Sequence, residues 1–181
     1  MPEHPPVVTS IRRPWSFFPS ASITAAPALL ADSSDIALIA KRTGDPVAGK
    51  LVFQKFCFAC HKAGDVGIDF GPGLSEIGSK LPKTELYLAI VKPNAGVSFD
   101  YVGWTIHTKQ GAVLAGIVSE SEDQLTVRMV GGVSQKVKKA EVAKRQQMPV
   151  SLMPEGLHLA MSEKELVDLV EFLAGLKTKK K

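Results

Sequence analysis

Cys57 and Cys60 are the only two cysteines in this chain, and His61 follows them directly. The run Cys57-Phe58-Ala59-Cys60-His61 has the C-x-x-C-H spacing that attaches a c-type haem. Two thiols at this spacing can add across the vinyl groups of one porphyrin as thioethers, and the adjacent imidazole can then ligate the iron from the proximal side. Two other chemistries use paired cysteines. A redox-active dithiol calls for a preceding strand and a βαβ setting, whereas the residues before Cys57 have a helical period. A zinc site needs a second ligand pair, and no further cysteine is present. The implied cofactor is one haem c, attached through Cys57 and Cys60 and ligated by His61.

An iron held by His61 has one further axial position. A protein sulfur there makes the site suited to moving electrons, and an open position lets it bind gases or peroxide. By residue type the candidates are Met148, Met153, Met161, His107 and His158. A thioether is soft and favours the ferrous state, which raises the reduction potential.

The elements that must position these residues are helical on both sides of a β segment. Asp45 and Pro46 suit a helix cap and first turn, and Val47, Leu51, Val52 and Phe56 continue as an apolar stripe. Gly49 inside that helix costs about 1 kcal/mol relative to alanine, which makes sense if another helix crosses closely there. A short helix is expected from Lys83 or Thr84 to Val91, ended by Pro93. Near the end, Ser162 and Glu165 form a capping box, and Leu166, Leu169, Val170, Leu173 and Leu176 follow at helical spacing. Asp168 and Glu171 lie off that stripe. Between residues 101 and 139 the period becomes alternating, with about four strands and hairpin signals at Gly111 and at Gly131-Gly132.

The 181 residues allow one domain with an insertion and a tail. Hydrophobic residues make up 45%, enough for a packed core, and the net charge is +4. The basic excess gathers in Lys136, Lys138, Lys139, Lys144 and Arg145 and in a lysine-rich end. Basic and aromatic residues are not interleaved, so nucleic-acid binding is not expected. Arg12 and Arg13 precede an Ala-, Leu- and Phe-rich stretch that resembles an export signal, although Pro14, Pro19 and Pro27 break it. No apolar run is long enough for a transmembrane span.

Residues 45–61, Gly49 and Phe53 included, resemble the first helix and haem loop of class I cytochromes c. Gly71-Pro72-Gly73-Leu74 resembles that family's Gly-Pro-x-Leu, in which the proline carbonyl accepts a hydrogen bond from the proximal histidine. Ser151-Leu152-Met153-Pro154 resembles its methionine ligand loop. With the β insert, the whole is similar to the haem-binding domain of planctomycete and verrucomicrobial proteins. The resemblance implies that Cys57, Cys60, His61, Pro72 and Met153 hold the haem, with His61 and Met153 as iron ligands. Met153 is preferred to Met148 because it sits at the family's usual distance before the last helix.

The resulting expectation is a mainly α chain, a cytochrome c-like helical haem domain with an inserted small antiparallel β-domain. Residues 1–44 form a leader, signal-like or disordered. Residues 45–100 and 148–177 form the haem domain, 101–147 the insert and 178–181 a basic tail. The implied role is electron transfer by a non-enzymatic carrier, periplasmic or otherwise exported, and served by a redox partner protein such as a dehydrogenase. Two rival roles share the haem: an enzyme or gas or peroxide sensor with an open sixth site, and a docking module that passes electrons to or from a dehydrogenase.

Overall fold

The computed structural model describes residues 33–178. Its helices are α1 (Ser33–Ile39), α2 (Pro46–Phe56), α3 (Ile77–Lys80), α4 (Lys83–Val91) and α5 (Glu163–Gly175). Both bonds of the expected capping box are made at α5: the Ser162 side chain accepts from the Glu165 N–H, and the Glu165 carboxylate accepts from the Ser162 N–H. Leu166, Leu169, Val170 and Leu173 are buried on its inner face. At α2, Asp45 accepts from the N–H groups of Val47 and Ala48, and Pro46 occupies the first turn.

The buried face of α2 differs from the expected stripe. Val47 and Leu51 are exposed, whereas Gly49, Val52 and Phe53 are buried. The cause is α5, which crosses α2 at Gly49 so closely that a Cβ there would overlap the Asp168 carbonyl. Positions 49, 52, 53 and 56 therefore define the inner face by i, i+3, i+4, i+7 geometry. Gly44 and Gly78 likewise face the α5 backbone, at Val167 and Ala174.

Asp168 and Glu171, which fall off the hydrophobic stripe, are structural. Asp168 is 4% exposed, accepts from the Asp45 N–H at 2.9 Å and pairs with Lys164 at 2.6 Å. Glu171 accepts from Lys83 at 2.6 Å and from the Gly44 N–H at 2.9 Å. Burial raises the Asp168 pKa, but Lys164 and the Asp45 N–H outweigh it and hold the carboxyl below its usual range. Lys83 and the Gly44 N–H do the same for Glu171, against a smaller opposing effect of burial. A carboxyl whose folded pKa lies below its unfolded one stabilises the fold above the unfolded value, and that stability is lost as pH falls through the folded value. Stability is therefore expected to be flat near neutrality and to fall below the ordinary carboxylate range. In urea titrations, Asp168→Asn should cost about 2 kcal/mol at pH 7, as expected for a charge-assisted buried hydrogen bond, and less at low pH. A cost that does not depend on pH would contradict this.

The inserted segment forms one antiparallel sheet of five strands: β1 (Gly103–Thr108), β2 (Val113–Glu120), β3 (Gln124–Arg128), β4 (Ser134–Lys138) and β5 (Val142–Gln147). The order is β4-β3-β2-β1-β5, so a four-strand meander is closed on its β1 side by the returning strand. Gly131 and Gly132, at φ of 87° and 81°, make the β3–β4 turn in the left-handed region that favours glycine. Ile106, Leu114, Leu125, Val127 and Val137 form a second core inside the sheet.

The expectation of a mainly α chain is not met. The described residues are 37% helical and 22% strand, with a five-strand sheet where four strands were expected. The fifth, β5, is an edge strand almost wholly exposed, and its Lys144, Arg145 and glutamines carry no alternating pattern. Arg145 lies over the Trp104 ring at 4.0 Å and pairs with Glu120, so part of the basic cluster is used within the sheet.

Helix α1 falls in the stretch read as leader, and its Ile36 and Ile39 join the helical core. The export-signal reading of residues 12–31 and the lysines at 179–181 lie outside the described residues. Among the described residues no helix is long and apolar enough to cross a membrane.

Candidate haem site

The last turn of α2 delivers the cysteines. Cys57 caps the helix, its N–H donating to Phe53 O, and the N–H groups of Cys60 and His61 turn back onto Cys57 O. The following loop is stitched to this turn by its backbone. Ile68 N–H donates to Phe58 O at 2.9 Å, Gly71 N–H to Cys60 O at 2.6 Å and Leu74 N–H to Lys62 O at 2.7 Å. These bonds bring Pro72 to the imidazole of His61.

His61 Nδ1 lies 2.9 Å from Pro72 O. A carbonyl can only accept, so Nδ1 carries the proton and Nε2 keeps its lone pair for a metal. Gly71 leaves the ring its space, since a Cβ there would lie 2.8 Å from His61 Cε1 and 3.1 Å from Nδ1. Burial lowers the His61 pKa, partly offset by Pro72 O, which favours the neutral ring that a metal requires.

Burial, with the neighbouring Cys60, pushes the Cys57 thiol up to about 12, and burial raises Cys60 as well. Both cysteines are unbridged. Redox-active C-x-x-C pairs depend on a lowered thiol pKa, and this pair is shifted the opposite way.

Cys57, Cys60, His61, Pro72 and Met153 all line one cavity of about 460 Å³. The helical side adds Phe70, Leu86 and Ile90, and the sheet side adds Ile117 from β2. Tyr101, in the turn just before β1, also lines it. Ile117 lies more than 50 residues beyond the haem motif, and its place in an alternating strand gives no hint of a role outside the sheet. Two thiols, a neutral imidazole with a free Nε2 and a thioether around an apolar cavity are a donor set that fits a haem c.

The other axial candidates lie elsewhere. Met148 packs where Gly103 has no side chain, Met161 is in the helical core, and His107 sits on β1. His158 is buried outside the cavity lining, its pKa lowered by burial, and its Nδ1 has no hydrogen-bond partner among the described residues.

The family model described as cytochrome c matches residues 46–112. The match takes in Cys57, Cys60, His61 and Pro72 and ends before Met153. No curated protein matches the chain. Over that segment, which takes in α2, the loop carrying Cys57, Cys60, His61 and Pro72, and strand β1, the chain is similar to cytochrome c.

Proposed function

We propose that this protein transfers single electrons through one haem c attached at Cys57 and Cys60 and ligated by His61 and Met153. The observation that carries the reading is the convergence of both thiols, the Pro72-bound imidazole and the Met153 thioether on one apolar cavity. When bound, the haem supplies a one-electron couple at its iron. The residues around it set the conditions for that couple. Pro72 O holds the His61 ring in one tautomer and orientation, and Gly71 leaves that ring room. The Met153 thioether favours the reduced state, and the apolar walls, Ile117 among them, exclude water.

The same reading places the protein outside the cytoplasm, in the periplasm, with a redox partner protein such as a dehydrogenase. The sheet insert and the Ser151–Leu157 run support the likeness to planctomycete and verrucomicrobial haem-binding domains.

The test is the optical spectrum and potential of the holoprotein and of Met153→Ala. The parent should be low-spin with a far-red methionine-to-iron charge-transfer band. The variant should lose the band, and its potential should fall by on the order of 0.1 V, within the roughly 0.8 V range that axial ligands cover. A band indifferent to Met153, or rapid carbon monoxide binding by the reduced parent, would overturn the His/Met assignment and favour an open sixth site.

A further inference from the structure

We infer that Asn94 is a positioning residue for Met153, clamping both ends of the methionine loop with one side chain. The inference rests on Met153 being the sixth ligand. Helix α4 ends at Val91, Pro93 prevents its continuation, and Asn94 follows on the strand of chain that leaves for the sheet. The chain returns from the sheet beside it. Ser151 N–H donates to Asn94 Oδ1 at 2.7 Å, and Asn94 Nδ2 donates to Glu155 Oε2 at 3.1 Å. Ser151 and Glu155 stand two residues before and two residues after Met153, so the amide spans the loop from end to end. Ser151 continues the chain of bonds, its Oγ accepting the Met153 N–H at 3.1 Å.

The chemistry of the clamp requires an amide. A backbone N–H on one side can only donate, and a carboxylate on the other can only accept, so the bridging group must offer one acceptor and one donor. A carboxylate at position 94 would keep the first bond, lose the second and face a like charge. The loop needs such a clamp because residues 148–156 form neither helix nor strand. A second fastening lies further out, where Met148 N–H donates to Gly103 O at 2.8 Å and Met148 and Leu152 fill the space left by Gly103. A thioether is a weak ligand for oxidised iron. Its hold therefore depends on the loop staying in place, and a hydrogen bond worth about 1 kcal/mol changes that hold several-fold.

The experiment is a pH titration of the oxidised holoprotein, following the far-red charge-transfer band as stronger donors displace the thioether at high pH. Asn94→Asp should lower the midpoint for loss of the band by about one pH unit, a roughly tenfold weaker hold. The double variant Asn94→Asp/Glu155→Gln puts the amide on the other side of the contact and should return the midpoint to the parent value. Glu155 is exposed, so Glu155→Ala is a fold-safe companion and should lower the midpoint by about half a unit. A purely structural role would move melting temperatures without this rescue pattern. A midpoint unchanged in Asn94→Asp and Glu155→Ala, or a double variant that does not recover, overturns the inference. If Met153→Ala keeps the band, the ligand assignment itself fails and the inference with it. If Met153→Ala loses the band while the clamp variants match the parent, only the inference fails.

Discussion

Gly49→Ala is expected to melt roughly 10 °C below the parent, a net loss of about 3 kcal/mol for a domain of this size. Two effects oppose each other at this position. Helix propensity favours alanine over glycine by about 1 kcal/mol in a helix interior. Against it, the new Cβ would overlap the backbone carbonyl of Asp168 and approach Phe172 Cβ at 2.8 Å. Backbone cannot rotate away as a flexible side chain can, so α2 and α5 must separate along their contact. That opening loosens Phe53 and Leu169, both fully buried, and draws Asp45 N–H away from Asp168. Overpacking alone costs about 1–3 kcal/mol, and loss of contacts along the crossing adds to it. Gly175, at the end of α5 with nothing near its missing Cβ, is the control, and Gly175→Ala should be neutral or slightly stabilising. Thermal denaturation of the two variants decides the matter. A Gly49→Ala protein as stable as Gly175→Ala would mean that the helices do not cross at this distance.

The same glycine separates what local sequence encodes about this fold from what only the tertiary partner decides. A glycine inside a good helix carries a cost, and that cost points to a close crossing. The periodicity alone does not single out the buried face, because Val47 and Leu51 match a helical period as well as Val52 and Phe53 do. Only the partner decides which face is buried, and α5 lies more than 100 residues away in sequence. Local signals with a local cause carried over well. The capping box of α5, the Asp45 cap of α2 and the paired glycines before β4 each satisfy backbone geometry within a few residues. Signals that depend on tertiary surroundings did not. Strand β5 is exposed along almost its whole length, and the few contacts its side chains make, Arg145 on Trp104 among them, follow no alternating pattern. Asp168 reads as a surface carboxylate until Asp45 N–H and Lys164 are seen around it. The haem motif was legible because its chemistry fixes residue types three positions apart. Asn94 was not, since its two partners lie 57 and 61 residues away.

The Cys57→Ala/Cys60→Ala protein is expected to release essentially all of its haem into acidified organic solvent, whereas the parent should release essentially none. The contrast follows from which contacts survive unfolding. Thioethers are covalent and persist in a denatured chain. The coordination proposed for His61 and Met153 depends on the loops that present them, and burial in the apolar cavity exists only while the fold does. Each single variant, Cys57→Ala or Cys60→Ala, keeps one thioether and should keep its pigment through the extraction. In the native state the double variant should still bind haem noncovalently, because His61 keeps its Pro72 bond and the cavity keeps its walls. The raised pKa values of both thiols bear on how the parent reaches its attached form. Thiolate is the species that starts disulfide exchange, and at neutral pH a thiol with a pKa of about 12 holds almost none of it. Burial at Cys57 therefore disfavours attack by its sulfur in the folded chain. Pigment that stays with the double variant through extraction would mean that some other residue anchors it, and the role assigned to the two cysteines would fall.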